Sequence, residues 1–140
     1  MPVLGVDQLQ EILQGGFPDA EVPRVELVND DFVVMSFAIS ERHGRPGGTV
    51  SGPSLMALAD CTAWLSIVGR IGPVALSVTT SLHIDFLRRP ELVDVVADGA
   101  LLKVGRRLAV AEVAMVSVGS PDLIAKAQVT YSIPPERHAV

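Results

Sequence analysis

Apolar residues first recur at helical spacing along this chain and later alternate with polar ones, and that change of period predicts the order of its elements. Val6, Leu9, Ile12 and Leu13 share one face of a short helix that Gly15-Gly16 should stop. Residues 24–28 and 32–39 read as strands, and Asn29-Asp30 between them suits a tight hairpin. A loop rich in glycine and charge covers 41–51. Pro53 then stands where a helix can begin, because its missing N–H would have no partner in a first turn. From Ser54 to Val68 the helix is unbroken and apolar on nearly every side, so protein must enclose it. Gly69 and Gly72-Pro73 should end it.

Beyond that point the period becomes two. Leu76, Val78, Thr80, Leu82, Ile84 and Phe86 alternate with Ser77, Thr79, Ser81, His83 and Asp85, which predicts a long strand with one dry face and one wet. Arg88-Arg89-Pro90 interrupts it. Three more strands follow at about 92–104, 106–118 and 123–133, joined by turns short enough to require antiparallel pairing. One enclosed helix followed by a meander of long strands leaves few compact solutions. The expected class is α+β, with an antiparallel sheet of about five to six strands curled around a long central helix. Residues 1–140 then form a single domain, with 1–20 as N-terminal helix and lead-in, and no repeat or linker divides them. The sheet edges and its outer face are open to a second copy.

Composition sharpens this picture. Of 140 residues, 49% are hydrophobic and only 19% charged, so part of the apolar surface is expected to lie between subunits, as a homodimer or a dimer of dimers. A net charge of −5 lacks the basic face that a nucleic-acid binder needs. The single cysteine, Cys61, excludes an internal disulfide and a thiolate metal cluster. No charged-then-apolar leader opens the sequence, which makes the cytoplasm the expected compartment. Residues 50–69 are apolar enough to suggest a membrane span, but they contain Asp60, open on Ser-Gly-Pro-Ser and precede strands; a core helix, with no membrane partner, is the reading.

Asp60 is the residue out of place. It sits mid-helix in Leu58-Ala59-Asp60-Cys61-Thr62-Ala63-Trp64, where every neighbour predicts burial. An unpartnered carboxylate there would cost several kcal/mol, so about that much must be recovered by partners or justified by function. Either it is a structural aspartate bonded to backbone or to a Ser or Thr hydroxyl, or it is a catalytic carboxylate facing a cleft.

The surrounding motifs bear on that choice. Gly48-Thr49-Val50-Ser51-Gly52-Pro53 and Leu58-Ala59-Asp60 together resemble the signature of the PaaI-like acyl-CoA thioesterases of the hotdog superfamily, His-Gly-Gly followed after six residues by an acidic group. Residues 79–90, ending Phe86-Leu87-Arg88-Arg89-Pro90, resemble that family's next strand, and 104–113 the one after. The likeness runs from about Gly48 to Pro134. It implies a hotdog fold and hydrolysis of an acyl- or aryl-CoA thioester to free acid and CoA, without a metal or other cofactor, coenzyme A being part of the substrate. Gly52 would offer its backbone N–H and the helix dipole to the carbonyl oxygen. Asp60 would act as general base or as nucleophile. Eight residues of helix separate the two by roughly 12 Å, so one carbonyl cannot touch both. In this family they come from different subunits.

Other assignments follow the same resemblance. Thr79 stands where relatives carry a water-positioning Ser or Thr, yet alternation puts it opposite the face covering the helix; Thr80 lies on that face and is the other choice. Ser51 replaces the family's His and can cap the helix but not titrate like His. Arg45 replaces an Asn or Gln and could hold a substrate carboxylate or a CoA phosphate. Trp64 is a pocket wall or a core residue. Arg88, Arg89, Lys103, Arg106 and Arg107 are the basic concentration of an acidic chain, around two turns that could meet at one sheet end; they would draw CoA phosphates or form a solvated rim. His43, His83 and His138 lack metal spacing, and Cys61 among apolar neighbours reads as packing. A hydratase would need a His near the helix start, which Ser51 and Pro53 do not supply. The rival from another class is a non-catalytic acyl-CoA or aromatic-ligand binding protein.

Overall fold

Ser51 starts the central helix α2, Gly52–Ile71, as its N-cap, with Pro53 inside the first turn. Ten of its residues are buried, among them Leu55, Leu58, Ala59, Ala63, Leu65 and Ile67. The structure, a computed structural model, describes residues 4–73 and 77–135. Helix α2 is long and apolar enough to cross a membrane by length and composition, but 56% of that apolar window is buried inside the protein. The element enclosing it is an antiparallel sheet of six strands.

Those strands are β1 (Arg24–Val28), β2 (Phe32–Phe37), β5 (Val78–Phe86), β6 (Val95–Val104), β7 (Leu108–Ser117) and β8 (Leu123–Ser132), and their order is β1-β2-β6-β7-β8-β5. A two-residue hairpin, β3 (Gly44–Arg45) with β4 (Thr49–Val50), interrupts the charged loop, after a single turn of 3-10 helix at Glu41–His43. This is the hotdog arrangement that the motifs implied: a long helix wrapped by a curved antiparallel sheet. Inward positions alternate as expected in β7 and β8, where Ala109, Ala111, Val113, Met115, Ala125, Ala127 and Val129 are buried. Asn29 makes the first hairpin turn by accepting the N–H groups of Asp31 and Phe32 on its side-chain oxygen.

Helix α1 (Val6–Gly16) lies at the β1 edge. Its Gln10 side chain accepts the N–H of Val25 at 2.7 Å and donates to the Pro23 carbonyl at 3.2 Å, so a side chain satisfies backbone groups at that edge.

Helix α1 ends at Gly16, at the expected Gly15-Gly16 stop, with Phe17 as its cap. Other sequence expectations change. Gly69 does not end α2: it is buried inside the helix beside Leu9 and Val28, where a Cβ would stand at the ordinary contact distances of 3.5 and 3.7 Å. The helix ends at Gly72, whose φ of +91° suits a residue without Cβ. The expected start of β5 at Leu76 lies outside the described residues, strand β2 ends two residues earlier than expected, β6 begins three residues later, and β7 is shorter at both ends.

Helix and sheet approach closely at Gly99 in β6. A Cβ there would come within 2.6 Å of Ser66 Oγ and 2.7 Å of Thr62 Cγ2. Both hydroxyls are buried and satisfied one turn back along the helix, Thr62 on the Leu58 carbonyl at 2.7 Å and Ser66 on the Thr62 carbonyl at 2.8 Å.

Candidate active site

Asp60 is half-buried on α2, facing β8 and β5. Thr79 Oγ1 donates to its Oδ1 at 2.7 Å, and the Tyr131 hydroxyl donates to the same oxygen at 2.8 Å while lying 3.3 Å from the Asp60 backbone carbonyl. Oδ2 takes no hydrogen bond among the described residues, and no unpartnered side-chain oxygen there is buried, so Oδ2 reaches the surface. One oxygen is therefore anchored and the other is open. Both structural and chemical readings of the sequence meet here: a Thr hydroxyl holds the carboxylate, yet half of it stays available.

Strand geometry explains how Thr79 gets there. Val78 pairs with Ser132 and Thr79 with Tyr131, but Ser81 pairs with Thr130, so Thr80 is an extra residue in a bulge. Beyond it, Leu82, Ile84 and Phe86 face inward with Val129, Ala127 and Ala125. The bulge shifts the parity by one, which puts Thr79 on the same face as these apolar residues and turns Thr80 away. Thr80 Oγ1 instead donates to the Thr130 carbonyl at 3.2 Å. Uninterrupted alternation had assigned Thr80 to the helix-facing side, and that expectation is corrected.

Tyr131 was not singled out from the sequence. Its inward position was legible from the alternation of β8, but its pairing with a residue 71 positions earlier was not. It is 5% exposed. Burial, more than any neighbouring charge, pushes its phenol well above the ordinary range, so it remains a donor. Cys61 follows the same rule: burial first, and then the Asp60 charge, raise its thiol to about 11, which removes it as a nucleophile at neutral pH.

At the other end of this stretch of helix, Ser51 Oγ accepts the Ser54 N–H at 3.3 Å and pairs with Ser54 Oγ at 2.8 Å, while the Ser51 N–H donates to the His43 carbonyl at 2.7 Å. The cap role expected of Ser51 is what the geometry provides. The Gly52 N–H belongs to the first turn and has no intrahelical acceptor; none is supplied by other described residues. A Cβ at Gly52 would lie 3.4 Å from Cζ of Phe86, so the helix start passes beneath that ring. Gly52 is thus beside the end of β5 and Asp60 beside its beginning.

The basic residues do not meet in one subunit. Arg88 donates to the Leu123 carbonyl at 2.8 Å and Arg89 to the Gly47 carbonyl at 3.1 Å, at the end where Phe86 pairs with Ala125. Lys103, Arg106 and Arg107 lie around the turn from β6 to β7, at the end where Leu108 and Val78 both pair with Ser132. The length of β8 separates the two groups, roughly 30 Å for ten residues. Arg45 is exposed on β3 and its side chain makes no ion pair among the described residues. Trp64 is neither free wall nor simple core: its ring packs edge-on against Phe17, with centroids 6.3 Å apart. His83 pairs with Asp85 on the wet face at 3.1 Å, as its strand position implied.

Comparison with known proteins matches this chain over residues 47–124 to the thioesterase superfamily. A candidate thioesterase from Silicibacter sp. has a similar structure, with a TM-score of 0.89 and 39% identity over 96% of this chain and 95% of that one. Thioesterase superfamily member 2 of zebrafish (TM-score 0.82, 22% identity, 94% of this chain and 99% of that one) shares the fold. So does a hypothetical thioesterase from Streptococcus pneumoniae solved with coenzyme A (TM-score 0.75, 19% identity, 95% and 99%). No curated protein matches the chain. With a family match over more than half its length and a 39% identical relative along nearly all of it, this chain belongs to the thioesterase superfamily.

Proposed function

We propose that the protein is an acyl-CoA thioesterase of the PaaI-like kind, with Asp60 as its base and Gly52 of the partner subunit as its oxyanion donor. A thioesterase-type function is supported by the family. The observation that carries the finer reading is the asymmetric Asp60 carboxylate, with Oδ1 fixed by Thr79 and Tyr131 and Oδ2 left open. A carboxylate kept only for structure would have little reason to leave one oxygen unbonded at the surface of an apolar helix.

In this reading Oδ2 takes a proton from water as the water oxygen bonds to the thioester carbon. The carbonyl oxygen becomes an oxyanion and is met by the Gly52 N–H at a helix start, where such a donor contributes ~3–4 kcal/mol in the transition state. The C–S bond then breaks, the CoA sulfur leaves as thiolate and takes up a proton, and the free acid remains. Direct attack by Oδ2 would instead expel the CoA thiolate, which takes up a proton, and leave an acyl-aspartate anhydride that water opens to the free acid and the Asp60 carboxylate. Labelled oxygen from solvent found in Asp60 after a single turnover would mark this second route.

Edge geometry supports a second copy. Strand β5 is a sheet edge with no buried residue, and Val78 and Phe86 at its two ends are 55% and 53% exposed. An antiparallel pairing of two β5 edges about a twofold axis would bring the Asp60–Thr79 end of one copy beside the Gly52–Phe86 end of the other. The same pairing would reunite Arg106 and Arg107 with Arg88 and Arg89 of the partner subunit, within reach of CoA phosphates, with Arg45 nearby. The structure solved with coenzyme A, although only 19% identical, supports a CoA ester as the ligand class.

A thiol-release assay over acyl- and aryl-CoA esters, run beside sedimentation, tests this. Turnover by a dimer or tetramer is expected. Tight binding without thiol release would favour the non-catalytic ligand-binding reading, and a stable monomer at assay concentration would contradict the shared site.

A further inference from the structure

On the flank of α2 towards the end of β2, at the turn that precedes Asp60, lies a half-open, largely apolar cavity of about 180 Å³. It is walled by Phe37 at the end of β2, by Phe17, Val22 and Pro23 of the lead-in, and by Ala57 and Cys61 of α2. The cavity exists because the two helix positions carry small side chains. Ala57 precedes Asp60 by three residues, a spacing that puts their Cβ atoms about 5–6 Å apart on a helix surface. Its walls are held from behind. Phe17 packs edge-on against Trp64, and the Phe37 ring, 9% exposed, meets His43 edge-on at 4.8 Å.

Charge at the rim is spoken for. The Glu21 carboxylate, the ionisable group at the mouth besides Cys61, pairs with Arg42. Burial holds the Cys61 thiol in its neutral form. What remains is an uncharged chamber one helical turn from the base. A cavity of ~150 Å³ lined by aliphatic and aromatic side chains accepts a benzene ring, which sets the scale.

We infer that this cavity receives the acyl group of the thioester and selects an uncharged chain of about six carbons or a single aromatic ring. The inference rests on the thioesterase reading and goes beyond it by giving the acyl subsite one wall, Phe17, Val22, Pro23 and Phe37, that lies outside the 47–124 segment defining the family match. Trp64 then acts through Phe17 rather than by touching substrate.

The test compares kcat/KM for acetyl-, hexanoyl-, octanoyl-, benzoyl- and palmitoyl-CoA in the wild type, Ala57→Leu and Val22→Ala. Position 57 is exposed and helical, so leucine is tolerated by the backbone and fills the chamber. Hexanoyl- and benzoyl-CoA should be preferred by the wild type. Ala57→Leu should lower the hexanoyl-to-acetyl ratio about tenfold or more. Val22→Ala, opening the chamber from the loop side, should move the ratio of octanoyl to hexanoyl upward. Unchanged ratios in both variants would overturn the inference, and so would a wild type indifferent to acyl size. Binding of the thioether S-hexyl-CoA against S-methyl-CoA gives a readout free of turnover. A preference for the hexyl group that Ala57→Leu removes supports the inference even if no ester is hydrolysed, an outcome that would sink the thioesterase reading alone. Equal affinities, with a weaker dimer in Ala57→Leu, would mean that the second copy fills the chamber, and the inference would fall.

Discussion

The Tyr131 hydroxyl and the Thr79 hydroxyl converge on one oxygen of Asp60, with Tyr131 at 2.8 Å from a position 71 residues away along the chain. Burial, which pushes that phenol well above its ordinary range, keeps it a hydrogen-bond donor to Oδ1 at neutral pH. Hydrogen bonds to charged groups contribute about 1.5–3 kcal/mol. Tyr131→Phe keeps the ring in the core and removes only the donor. It should lower kcat for CoA-ester hydrolysis by about tenfold with little change in KM, because the carboxylate loses its fixed orientation. An unaltered kcat would make Tyr131 a packing residue.

The bulge at Thr80 separates two adjacent hydroxyls by role. Thr79→Ala should lower kcat by about tenfold or more, since the bond removed holds the base. Thr80→Ala loses only a hydroxyl bonded to the Thr130 carbonyl on the outer face, and should retain wild-type turnover. The reverse pattern in steady-state kinetics would show that the strand keeps uninterrupted alternation.

Gly99 carries the close approach of sheet to helix. Gly99→Ala would drive a methyl group to 2.6 Å from Ser66 Oγ and 2.7 Å from Thr62 Cγ2, both on the buried helix face. Overpacking of this kind costs about 1–3 kcal/mol. A lowered midpoint in urea with an unchanged slope is the expected result, and a midpoint within error of the wild type would contradict the packing account.

Cys61 supplies a pH prediction. With its thiol raised to about 11, the thiolate fraction at pH 8 is smaller by about two orders of magnitude than for an unperturbed thiol. The sign follows from burial and the Asp60 charge, both of which favour the neutral form. Alkylation by iodoacetamide should be slow at pH 8 and accelerate up to about pH 11; full labelling within minutes at pH 8 would refute it.

Much of this is legible in the sequence. The uniform apolarity of residues 54–68 required an enclosed helix, and the alternation in 123–133 required a half-buried strand; both stand. Asp60 stood out because its neighbours were apolar. Legibility ended where the answer depended on register. A bulge adds one residue without altering composition, so Thr80 looked inward until the pairing with β8 was known. Tyr131 could be placed on a face but not opposite Asp60. The two arginine groups are neighbours in sequence to turns, yet β8 sets them at opposite ends of the sheet. Gly69 reads as a helix stop by propensity and serves instead as the contact point for Leu9.

The site shared between subunits is the claim on which the rest depends, and mixing two inactive variants tests it most directly. Asp60→Asn removes the base. Gly52→Pro removes the oxyanion N–H; the extended backbone of Ser51 (φ −71°, ψ 149°) suits a following proline, and a melting temperature equal to the wild type's checks that the helix start before Pro53 still folds. Each variant alone should hydrolyse CoA esters about 10²-fold more slowly than the wild type. Equal mixing with subunit exchange should restore about a quarter of wild-type activity, because half of the dimers then carry one intact site of two. No recovery on mixing, or full activity in Asp60→Asn alone, would contradict the account.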